Sequence, residues 1–120
     1  MTKTIEQSFA QKLRDVLERF SALDPKGPSA KPMAITEAIA FLLVNEQPGK
    51  TVNDYAALAG ISPTSMSRYL LDLGERQRTG VDGLGLVEGR PNLLDRREVQ
   101  YRPTDKGTAF MFSLVGRMVR

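Results

Sequence analysis

The sequence contains no cysteine and no histidine. Their absence removes the commonest zinc ligands, thiol redox switches, and the Ser/His and Cys/His pairs that activate nucleophiles. No HExxH, Walker A or GxGxxG pattern occurs, and the glycines from Gly80 to Gly89 do not match a phosphate-cradling loop. Carboxylate or lysine chemistry stays open in principle, but no titratable constellation converges in sequence. The expectation is a chain that is not an enzyme and that holds neither metal nor cofactor. Long apolar runs are also missing: none approaches the roughly 18 to 20 residues needed to span a bilayer, so no membrane partner is expected. The stretch from Met1 to Gln7 lacks the apolar core of a secretory signal, which makes the cytoplasm the expected location.

What is present suits one globular domain. A chain of 120 residues, 41% hydrophobic and 26% charged, is long enough to bury a core without disulfides or metal. The net charge of +3 is compatible with a polyanionic partner and equally with a solubility role, so it decides nothing by itself.

Apolar residues Ile5, Phe9, Leu13, Val16, Leu17 and Phe20 recur at three- and four-residue steps and predict an amphipathic helix over 1–23. A proline- and glycine-rich stretch, 24–33, ends it and reads as a linker. From Ala34 to Glu46, apolar residues cover nearly the whole circumference, which predicts a core helix buried on most sides and stopped by Pro48 and Gly49. Thr51 and Asp54 fit a capping box that opens a third helix, and Gly60 can end it in the left-handed conformation. Ser62 and Pro63 then start a fourth, with Met66, Tyr69, Leu70 and Leu73 on one stripe. Turn formers dominate from Gly74 to Gly83. Two strand-like runs, Leu86 to Glu88 and Glu98 to Arg102, bracket a hairpin tip expected from Gly89 to Arg97. Thr104 caps a last helix so apolar, from Phe110 to Val119, that it needs a partner.

Helix, glycine turn, capped second helix and arginine-bearing hairpin is the order of a winged helix-turn-helix. The run from Thr51 to Arg68 resembles the helix-turn-helix of MarR-family transcription factors. Gly85-Leu86-Val87, Asp95-Arg96-Arg97 and Thr104-Asp105-Lys106-Gly107 resemble that family's wing and the start of its following helix. The resemblance covers about the second half of the chain. It implies a mainly α fold with a small β hairpin, a DNA-binding core over 34–103, and dimerisation through the first helix and the last, 104–120. It also implies a homodimeric regulator on double-stranded DNA, with recognition helices roughly 34 Å apart. Two departures stand out: the Gly74 to Gly85 segment is longer than the family's turn, and Pro103 replaces an aliphatic residue.

On the recognition helix, Ser62, Thr64, Ser65, Ser67 and Arg68 are the groups able to reach phosphates or base edges, with Arg68 the candidate for guanine. For Ser62 a simple capping role is the plainer reading. In the wing, the resemblance gives Asp95 the task of holding the hairpin and Arg97 the approach to the minor groove, with Arg90 and Arg96 as phosphate contacts. Glu88, Asp95 and Glu98 nearly balance the wing's positive charge. The competing reading is a winged helix used for protein–protein interaction without specific DNA binding. The residues define no small-molecule effector.

Overall fold

The computed structural model describes residues 4–23, 33–74, 83–95 and 97–118. The expected linker, except its last residue, lies outside them, as do Arg76, Arg78, Arg96 and Val119. In chain order the elements are α1 (Ile5–Ser21), α2 (Ile35–Glu46), α3 (Val52–Ala59), α4 (Pro63–Leu73), β1 (Val87–Pro91), β2 (Val99–Pro103) and α5 (Asp105–Met118).

The helix starts follow local chemistry. The Thr51 hydroxyl accepts from the Asp54 amide at 3.3 Å while the Asp54 carboxylate accepts from the Thr51 amide at 3.1 Å, the reciprocal capping expected. Those hydrogen bonds from Thr51 hold the Asp54 carboxyl below its ordinary pKa. A second capping box, between Thr4 and Gln7, opens α1. Gly60 ends α3 at φ 72°, a conformation that costs a side-chain-bearing residue about 1 kcal/mol or more. Thr104 accepts from the Gly107 amide at 3.0 Å and donates to the Gly85 carbonyl, tying the start of α5 to the segment before β1. Gly107 is needed there for a second reason, since a Cβ on it would fall on the Leu86 carbonyl.

The core is filled by Phe41 and Val44 of α2, Tyr55 of α3, Met66, Leu70 and Leu73 of α4, and Leu114 of α5, with Leu86 and Val87 closing it from the hairpin side. Phe20, Phe41 and Phe110 meet edge to face, with ring centroids 5.4 to 5.9 Å apart. This triad joins α1, α2 and α5 by the geometry aromatic rings prefer.

Two details differ from what the sequence suggests. α2 is buried or half-buried on most sides, as expected, but a narrow outer strip leaves Ile35 69% and Ile39 42% exposed. Glu37 is buried instead, and burial, with the charge of Asp72 second, pushes its pKa up to about 7. The hairpin tip is also shorter than expected. β1 pairs antiparallel with β2 from Val87 opposite Pro103 to Pro91 opposite Val99, so Gly89 and Arg90 belong to the strand and the tip begins at Asn92. Gly89 permits the pairing because Val99 and the Tyr101 ring occupy the space its Cβ would need.

The wing is stitched to the helical body through both strands. The Tyr101 amide donates to the Lys50 carbonyl at 2.9 Å and the Gly49 amide to the Tyr101 carbonyl at 2.7 Å, while the buried Tyr55 hydroxyl donates to the Gln47 carbonyl at 2.7 Å. Just before β1 the Leu86 amide donates to the Leu73 carbonyl at 2.7 Å and the Gly85 amide to the Gly74 carbonyl at 2.8 Å. Among the described residues no helix is long and apolar enough to cross a membrane.

α1 has its apolar stripe turned outward. Ile5, Phe9, Leu13 and Leu17 are 79%, 54%, 49% and 51% exposed, whereas the polar Ser8, Lys12 and Asp15 are half-buried. Phe112 and Val115 of α5 are exposed as well.

Candidate nucleic-acid interface

α4 buries Met66, Leu70 and Leu73, so the opposite side of the helix is fixed in the direction of solvent. Thr64, Ser67 and Arg68 lie there, exposed, and none has a polar partner among the described residues. Ser62 and Ser65 behave differently. Ser62 Oγ accepts from the Ser65 amide at 3.1 Å and donates to Ser65 Oγ at 3.1 Å. Ser62 is thus the cap that its position suggested, and Ser65, half-buried, is engaged with it.

In the wing, Asp95 Oδ1 accepts from the Arg97 amide at 3.1 Å and lies 3.5 Å from Arg97 Nε. The acid closes the turn and lies beside the Nε of an arginine whose side chain remains 94% exposed. Arg90 pairs with Glu88 at 2.8 Å; both point to one side of β1 because strand side chains alternate. Its charge is therefore partly spent within the wing. Arg96 lies outside the described residues.

Asn92 is a turn-forming residue whose part in the wing the sequence does not single out. Its amide donates to the Glu98 carbonyl at 2.8 Å, its Nδ2 to Glu98 Oε1 at 3.2 Å, and its Oδ1 accepts from the Leu94 amide at 3.0 Å. An asparagine opening a loop two residues before the amide it binds is the available signal. Each wing acid thus has a partner: Glu88 with Arg90, Asp95 with Arg97, Glu98 with Asn92. Between the start of α3 and the wing lies an open cleft of about 420 Å³, lined among others by Thr51, Asn53, Asp95, Arg97, Glu98 and Tyr101. The candidate residues are thus a polar outer face on α4 and an exposed arginine in the wing of a winged helix-turn-helix.

That architecture is the fold of MarR-family regulators. The chain is similar to the crystal structure of MarR, with 16% identity and a TM-score of 0.57 over 71% of this chain and 56% of that one. A transcriptional regulator of Thermotoga maritima gives 15% identity and a TM-score of 0.67 over 92% of this chain and 64% of that one. MepR of S. aureus, solved as a complex with DNA, gives 18% identity and a TM-score of 0.63 over 94% of this chain and 77% of that one. The chain thus spans less than two thirds of the first two. No family model and no curated protein matches the sequence.

Proposed function

We propose that this chain is a DNA-binding transcriptional regulator that acts in the cytoplasm as a homodimer on duplex DNA, with α4 in the major groove and the wing at the minor groove. The observation that carries the reading is the placement of Thr64, Ser67 and Arg68, exposed on the outer face of α4, beside a wing whose Arg97 stands 94% exposed. Short hydroxyl side chains let a helix approach base edges closely, and arginine reads guanine through two parallel hydrogen bonds. Similarity in fold to MepR, solved on DNA, supports it. In this arrangement Ser62 and Ser65 set the helix start near the phosphates, Arg97 reaches the narrow groove, and Arg90 and Arg96 add backbone contacts.

The dimer is supported by the outward apolar stripe of α1, which a second copy would cover. Selection of bound fragments from random duplex DNA tests the whole reading. An inverted repeat with half-sites about one helical turn apart is expected. Absence of any enriched sequence would favour a protein-interaction module instead.

A further inference from the structure

Leu93 and Leu94, at the apex of the wing, are each 96% exposed, more than any other large apolar side chain among the described residues. Isolated exposed leucines are ordinary, but two adjacent ones on a fixed turn form a feature. The turn holds them out. Asn92 bonds across to Glu98 and back to the Leu94 amide, and the Asp95 carbonyl accepts from the Glu98 amide at 3.0 Å, so the backbone that carries the two leucines is held in a hydrogen-bonded turn. Beside them stands Arg97, its side chain 94% exposed although its Nε lies 3.5 Å from Asp95, while Asn92 hydrogen-bonds Glu98. The tip therefore presents an apolar pair next to an arginine that stays open to solvent.

The surface that takes both is a minor groove, where phosphates line the lips and an unstacked base step accepts one or two apolar side chains. A bilayer is a poorer match, because stable anchoring there needs far more apolar area than two leucines supply. We propose that Leu93 and Leu94 form a wedge that the wing inserts at a base step beside Arg97, kinking the duplex; this rests on the DNA-binding reading above. The wedge would favour an easily unstacked pyrimidine–purine step at that place, giving sequence preference without a hydrogen bond.

The test uses the full chain and a duplex recovered by random selection, labelled at both ends for energy transfer. Replacing both leucines by serine (Leu93→Ser with Leu94→Ser) is expected to weaken binding on the order of tenfold or more. It should also relax the bend and erase the preference for the flexible step, with the salt dependence of affinity unchanged. The double methionine variant should keep all three properties, and thermal unfolding confirms that each variant is folded. A wild-type chain that binds duplex, matched in affinity and bend by the serine variant, overturns the wedge alone. A wild-type chain that binds no duplex overturns the DNA reading and the wedge with it. Leucine-dependent binding to phosphatidylglycerol vesicles, with DNA affinity unaffected, would overturn the wedge and assign the tip to a lipid surface.

Discussion

Asp95 and Arg97 are joined twice, through the arginine's own amide at 3.1 Å and through its Nε at 3.5 Å. The acid fixes both the backbone from which the arginine rises and the direction in which it leaves. Simple electrostatics holds that deleting an acid near phosphates tightens binding, whereas an orienting role gives the opposite sign. Asp95→Ala is therefore expected to weaken DNA binding, and a tighter complex from a folded variant would refute the orienting role. Arg97→Ala should weaken binding broadly and make the slope of log affinity against log salt shallower by about 1.

Arg68, exposed on the outer face of α4, carries the base-reading prediction. Arg68→Ala is expected to cost roughly 1 to 3 kcal/mol and to relax preference at one base pair per half-site, measured by titrating single-substituted duplexes. A uniform loss across all duplexes would make it a phosphate contact.

The outward stripe of α1 predicts self-association. Leu13, 49% exposed, lies at the middle of the stripe, and Leu13→Glu would bury an unpaired charge in the interface. The dimer dissociation constant should rise by about 100-fold or more, read by sedimentation velocity. A wild-type chain that stays monomeric at micromolar concentration and above would remove the two-fold operator with it.

Glu37 gives the pH dependence. Burial, with Asp72 second, raises its pKa from 4.5 to about 7 in the folded chain, so the carboxyl costs nothing below the unfolded value and destabilises increasingly as pH rises through the folded one. Glu37→Gln should leave stability near pH 4 almost unchanged. Near pH 8 it should raise stability by roughly 1 to 2 kcal/mol, a figure reduced for solvent screening. Denaturant unfolding at both pH values reads the difference.

The helices and their caps were legible because their signals are local. Thr51 with Asp54, Gly60, and Ser62 with Pro63 each act over four residues or fewer, and the structure uses them as the sequence suggests. What escaped depends on partners distant in the chain. Ile35 and Glu37 sit one turn or less apart on α2, and their periodicity gives no sign that the acid would be covered and the isoleucine left open. The bridge from Lys50 to Tyr101 joins residues far apart in sequence, and Arg90 entered the strand because pairing runs to Pro91 opposite Val99. Of the proposed site, the outer face of α4 followed from the spacing of Met66, Leu70 and Leu73. The roles of Asn92, Leu93 and Leu94 required the turn itself.

The double stitching of the wing, Tyr101 of β2 to Gly49 and Lys50 and Leu86 before β1 to Leu73, makes the base of the hairpin and α4 the two jaws of a caliper. Neither jaw swings without breaking backbone hydrogen bonds that are closed onto the core. If the chain binds duplex as proposed, α4 and the base of the hairpin would meet it in a relation set by the fold, and each subunit would gauge groove spacing rather than adjust to it. In the proposed dimer, adaptation to operators of different spacing would then fall to the junction between subunits, where α1 and α5 would act as the hinge of two rigid gauges.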